Sequence, residues 1–329
     1  MYAREMGFLK LGKVSLDGTK INANASKHHA LSWDHACKIE KQLQAEIAEL
    51  MELAEKADSE EIPTEMDIPE ELSRRQDRLA AIAQAKAKID ERAAQRYAEE
   101  QKEYDEKVAK RLAKAEATGK KPRGRNPEPP TPGPRKKDQV NLTDEESRIM
   151  PSSDKGFVQA YNAQAAVDVE TMLIIENHIT QASNDKREIN PALKSLNELP
   201  DELGKVDILL ADAGYYSDDN VASCERSGIE PYIPPYREKH NQPLAARFID
   251  PAPLPEDAEP IDKMRNKLKS VEGRKVYAKR KSTVEPVFGI IKHVLGFRHF
   301  FLRSKEAVTG EWTLVSTAWN IKRMFALSS

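Results

Sequence analysis

Residues 206–216 read VDILLADAGYY, and this stretch decides the fold. The apolar run Ile208-Leu209-Leu210-Ala211 is short and closes on Asp212-Ala213-Gly214, a turn signal. It therefore reads as a buried strand rather than a helix. In open α/β sheets ligands gather at strand ends, so Asp212 stands at a candidate site. Outward from it, helices are expected over Pro191–Leu199 and near Asp219–Ser227, with a short strand in EPYIPPY at 230–236. Residues 157–181, FVQAYNAQAAVDVETMLIIENHITQ, alternate and then become apolar, which predicts two strands turning near Asp168–Thr171. The opening segment LGKVSLDGTKINANAS, 11–26, reads as two short strands turning at Asp17-Gly18. Strands alternating with helices give an α/β domain with a mixed sheet.

Between these segments the period changes. Ile39, Leu43, Ile47, Leu50 and Ala54 recur at three- and four-residue steps, as do Leu79, Ile82, Ile89, Ala93 and Tyr97. Two long polar helices joined around Pro63 and Pro69 predict an inserted antiparallel hairpin over 35–117. Residues 118–138, TGKKPRGRNPEPPTPGPRKKD, form an extended or disordered linker whose basic residues serve either DNA contact or solvation. Residues 1–34 then hold the first strands, and 139–329 the remainder of the domain. That remainder includes a proline-rich loop over 237–262, a helical pattern over 261–293 and a last helix over Lys305–Phe325.

Composition narrows the class. Apolar residues make up 39% and charged residues 32% of the 329, enough for one sizeable core. No apolar run is long enough for a membrane span and the N-terminus lacks a secretory pattern, so a cytoplasmic protein is expected. Cys37 and Cys224 lie far apart, and the seven histidines show no ligand spacing. Net charge is −2, but it is unevenly spread. Residues 38–117 hold 15 Lys and Arg against 21 Asp and Glu, whereas 262–329 hold 15 against 5. A basic C-terminal segment is the kind of footprint DNA binding leaves.

Three carboxylates stand out. Asp17 and Asp212 at neighbouring strand ends could share a divalent cation, since Mg²⁺ prefers carboxylate oxygen. Glu285 lies in RKSTVEPVFGIIK; on a helix Lys292 would share its face, and Lys281 would sit one turn earlier. Cations beside a carboxylate suit a metal site with phosphates running past. Taken singly, each also has a plainer reading: a turn at Asp17, a helix cap at Asp212, a surface ion pair or cap at Glu285. Trp312 and Trp319, seven apart, read as core-facing.

Taken together, the blocks resemble the DDE transposases of bacterial insertion sequences. DGTKINANASKH (17–28), NLTDEESRIM (141–150) with YNAQAAVD (161–168), ADAGYYS (211–217) and VEPVFGIIKHVLGFRHFFLRS (284–304) follow the family's order. The resemblance implies a ribonuclease H-like, retroviral-integrase-like fold. It implies two Mg²⁺ or Mn²⁺ ions held by Asp17, Asp212 and Glu285, and cleavage and strand transfer on double-stranded DNA at transposon ends. It also implies phosphate contacts from Lys292, a homodimer when active, and a nucleoid-associated location; Lys281 and Arg280 are further DNA-contact candidates. Two features depart from it. Tyr277 and Arg280 keep the family's spacing, but Glu285 falls five residues after Arg280 rather than four. Only 16 residues precede Asp17, where family members usually carry a helical DNA-binding domain. The alternatives are an inactive remnant that at most binds DNA, and a related nuclease without strand transfer.

Overall fold

The computed structural model describes residues 2–59, 67–119, 124–152, 156–237, 248–255 and 257–328. In chain order the elements begin with α1 (Tyr2–Glu5), β1 (Lys13–Asn22), β2 (Ala30–Ser32), α2 (Trp33–Ser59), α3 (Ile68–Thr118) and β3 (Gln139–Asn141). There follow β4 (Arg148–Pro151), β5 (Phe157–Asp168), β6 (Ile174–Thr180), α4 (Ile189–Asn197) and β7 (Ile208–Leu210). Last come α5 (Asp218–Arg226), β8 (Glu230–Tyr232), α6 (Pro260–Lys269), α7 (Val271–Ala278), α8 (Val284–His293) and α9 (Lys305–Ser328). The chain divides into two compact units, one of Met1–Lys27 with Glu146–Ser329, the other of His28–Glu145.

The first unit is a mixed α/β layer structure. Its six-stranded sheet has the order β4-β5-β1-β7-β8, with β6 also on β5. β5 is antiparallel to β1, β4 and β6, while β7 runs parallel to β1 and β8 parallel to β7. β4 and β6 take successive stretches of the same edge of β5. Alternation divides the strands between two faces. Val14, Leu16, Ala166 and Leu209 pack with Ile189, Leu193 and Leu196 of α4 and Cys224 of α5. Ile21, Ala163, Ala165 and Val167 pack with Val284, Val287 and Ile291 of α8 and Val308, Trp312 and Trp319 of α9. Both tryptophans face the core, and their indole N–H groups donate to the carbonyls of Gln164 and Met172.

Two local expectations are corrected. β1 is one unbroken strand of ten residues, so Asp17-Gly18 is not a turn. Gly18 is there for closeness: a Cβ would stand 2.1 Å from Gln164 Nε2 and 2.6 Å from Asp185 Oδ1. The helical pattern expected over 261–293 is broken twice, so that Lys281, expected one turn before Glu285 on the same helix, leaves it. Ser270, extended at φ −64° and ψ 156°, ends α6 and caps α7 by accepting from the Gly273 N–H. Thr283, at φ −115° and ψ −85°, separates a single turn at Lys279–Ser282 from α8. Lys281 therefore sits on that turn and not on the helix that carries Glu285 and Lys292.

The second unit is a helical hairpin closed by a two-stranded ribbon. β2 pairs antiparallel with β3 at its base. Leu43 and Ile39 of α2 cluster with Leu79, Ile82 and Ile89 of α3. Ion pairs Glu46–Arg75 at 2.8 Å and Glu40–Lys86 at 2.7 Å run up the same seam and fix an antiparallel register. Asp67 caps α3 by accepting from the Glu70 N–H, and Pro69 occupies its first turn, where a missing N–H is harmless. Pro63, expected at the tip, lies outside the described residues. Where a loose linker was expected, residues 124–138 lack regular structure but are tied to α3. Arg96 bonds Asp138 at 2.7 Å and the Gly133 carbonyl at 3.0 Å, and Arg135 bonds Glu100 at 2.8 Å.

Candidate active site

The two aspartates are brought together by strand register. β1 and β7 pair in parallel up to Ser15↔Leu210, so Asp17 and Asp212 each lie two residues beyond the last pair. Asp17 pairs with Ala165, on the face covered by α8 and α9. Asp212 caps a single turn at Ala213–Tyr215, its Oδ1 accepting the Gly214 N–H at 2.7 Å. Glu285 projects from the first turn of α8, which packs on the same sheet face.

Arg280 links these groups. Its Nη2 donates to Asp17 Oδ2 at 2.7 Å and its Nη1 to Glu285 Oε1 at 3.0 Å. It is 8% exposed, an uncommon depth for a guanidinium without such partners. A residue expected to meet DNA phosphate is engaged here with two carboxylates. Burial pushes the Asp17 carboxyl up to about 6, against the lowering pull of Arg280 and the Gly18 N–H, with Asp212 and Asp185 adding to the rise. Burial likewise lifts the Tyr277 phenol to about 12, beside Arg280, Asp212, Asp17 and Glu285.

Lys292 lies in the last turn of α8, half-buried, and donates to the Lys20 carbonyl of β1 at 2.8 Å. Burial and then Lys20 draw its pKa down. Lys281 is exposed on its separate turn.

One residue of the site went unnoticed in the sequence. Asp185, in the loop after β6, accepts from Asn162 Nδ2 and Gln164 Nε2, each at 2.7 Å, and lies 3.6 Å from Lys20 Nζ. Gln164 in turn accepts from the Tyr215 hydroxyl, in the turn that Asp212 caps. The signal lay in β5: Asn162 and Gln164 interrupt a run of alanines in a strand buried on both faces. Buried amides need partners, and Asp185 is that partner.

The donor chemistry fits a divalent cation, because Asp17, Asp212 and Glu285 offer hard carboxylate oxygen. A cation also already stands between two of them, in the form of the Arg280 guanidinium. Among the described residues no three acidic, His or Cys side chains are close enough to hold an ion as the structure stands.

Paired acids just past the last parallel pair of two strands in an α/β sheet, Asp17 within β1 rather than at its end, mark a protein with a carboxylate site beside its central strands. The particular family follows from comparison: residues 130–321, more than half of the chain, match the transposase DDE domain, and the chain belongs to that family. Membership places it among enzymes of the nuclease and transposase kind. Asp212 and Glu285 fall inside the matched residues, and Asp17 precedes them. No curated protein and no solved structure gave a match. Among the described residues no helix is long and apolar enough to cross a membrane.

Proposed function

We propose that this chain is the catalytic core of a DNA transposase, cutting and joining phosphodiesters through Asp17, Asp212 and Glu285. One observation carries the reading: the register of β1 and β7 sets Asp17 beside Asp212, while Arg280 ties Asp17 to Glu285. The strand order supports a ribonuclease H-like fold. Three strands, β6-β5-β1, are antiparallel, two more run parallel to β1, and helices cover both faces. Asp17, Asp212 and Glu285 would hold two Mg²⁺ or Mn²⁺ ions, which when bound activate the attacking oxygen and stabilise the leaving one.

The chain's own residues do the positioning. The Asp212 turn is braced through Tyr215 and Gln164 to Asp185, which fixes the direction of the Asp212 carboxylate. Lys281 and Lys292 would meet DNA phosphates; one hydrogen of the Lys292 ammonium is committed to Lys20, leaving donors for a phosphate. Double-stranded DNA is the substrate this reading requires, and a homodimer the assembly that would bring two transposon ends together.

The test is cleavage and joining of labelled DNA in Mg²⁺ or Mn²⁺. Asp17→Asn, Asp212→Asn and Glu285→Gln should each abolish both steps while leaving the fold intact, because shape is kept and a charge is lost. Wild-type-like cleavage by Asp212→Asn would sink the mechanism. Cleavage without joining would instead make the chain a nuclease of related fold.

A further inference from the structure

Arg280 is placed where a purely structural arginine has little reason to be. It leaves the single turn between α7 and α8 and enters the space between β1 and α8. Its two terminal nitrogens go to two different carboxylates, Asp17 and Glu285, instead of clamping one in the usual bidentate fashion. Its Nε is buried with no hydrogen-bond partner among the described residues. A buried donor left unmet is a cost, and it is offset here only by the two carboxylates. The acids, for their part, form no ion-holding group among the described residues in this arrangement.

We propose that Arg280 is a positioning residue that holds Asp17 and Glu285 together before metal arrives and gives them up when a divalent cation enters. This deepens the transposase reading and rests on Asp17 and Glu285 being metal-holding residues. The guanidinium and the cation are alternatives for the same oxygens. Asp17, largely buried, and Glu285, at the exposed rim beside it, would repel without a cation between them, so the Arg280 charge keeps the two together before metal binds. A displaced guanidinium lies beside the site and carries donors suited to a phosphate, which is the chemistry a bound DNA strand supplies. Release and substrate capture are thereby coupled.

The experiment is a calorimetric titration of Mn²⁺ into metal-free wild type, R280Q and K279Q, without DNA. K279Q removes a charge one residue away whose ammonium pairs with Glu170. Breaking two charge-assisted bonds opposes binding in the wild type, so R280Q should bind Mn²⁺ about tenfold tighter or more, and K279Q within about threefold of wild type. In EDTA, R280Q should melt below wild type, and Mn²⁺ should raise its melting temperature by a larger step. Unchanged or weaker Mn²⁺ affinity in R280Q, with normal binding by wild type, overturns the proposal alone. No Mn²⁺ binding by either protein overturns the metal-site reading and the proposal with it. Should R280Q fail to fold, R280K takes its place: one ammonium cannot fork to both acids, so an intermediate gain is expected, and none would refute the exchange.

Discussion

Asp17 shows how one side chain can work against the fold that holds it. Its carboxyl, 16% exposed, titrates near 6 because burial outweighs the help of Arg280 and the Gly18 N–H. A folded pKa above the ordinary 3.8 means that the folded state holds the proton more tightly than the unfolded chain. The associated stability is complete below pH 3.8 and is lost as pH rises through about 6. Asp17→Asn should therefore stabilise the metal-free protein at pH 7.5, by about 1–3 kcal/mol, and leave it little changed at pH 4. Thermal melts in EDTA at the two pH values decide this; equal effects at both would refute it. The neighbouring Gly18 gives a second case at this scale. Its Cβ position is filled by Gln164 and Asp185, so Gly18→Ala should cost about 3 kcal/mol by forcing those side chains apart. An unshifted denaturant midpoint would show that the close approach has room to relax.

Elements are joined by charge as well as by apolar surface. His178 of β6 lies between Glu176, on the same strand, and Glu188, at the start of α4, at 2.7 and 3.1 Å. Burial draws the imidazole down, but the hydrogen bonds it donates to both glutamates win and carry it up to about 9. The pairing stabilises fully below about pH 6.5 and fades as pH rises through about 9. His178→Ala should cost about 3 kcal/mol at pH 7, because it strands two buried carboxylates, and the gap to wild type should narrow above pH 9. Urea titrations across that range would test it, and a constant gap would count against the charged pair. None of this was visible in sequence, where His178 is one histidine among seven. What was visible had strong periodicity: β5, β6, β7 and the two hairpin helices follow from alternation or a helical repeat. The start of α8 was legible in Pro286 after Glu285, whereas the continuity of β1 through Asp17-Gly18 was hidden: the local Asp-Gly signal pointed to a turn, and close packing of Gly18 against Gln164 and Asp185 decided otherwise. The site followed the same rule. Asp17, Asp212 and Glu285 could be picked out by motif, whereas Asp185 acquires its place only once β5 is folded.

At the scale of the whole molecule, charge and fold divide the chain the same way. The basic residues of 262–329 belong to the sheet unit, and the acidic stretch 38–117 belongs to the hairpin unit. DNA affinity that rests on phosphate contacts should therefore reside in the sheet unit. The ribbon at the base of the hairpin allows a clean separation. β2 and β3 are already paired, and the Trp33 N–H bonds the Asp138 carbonyl at 2.8 Å, so the ends of the excised segment are neighbours. Replacing residues 33–138 by a short Asn-Gly turn would convert β2 and β3 into a simple hairpin. The shortened protein should stay folded, because the apolar clusters of the sheet unit lie outside the excised residues. It should bind nonspecific duplex DNA at least as tightly as the full chain, with the same dependence of log K on log salt, since the same phosphates are neutralised. Lys281→Ala combined with Lys292→Ala should flatten that slope by roughly 2, at about one released counterion per contact. Fluorescence anisotropy titrations at several salt concentrations would measure both slopes. Loss of binding on removing 33–138 would move the DNA interface onto the hairpin unit and its basic 124–138 segment.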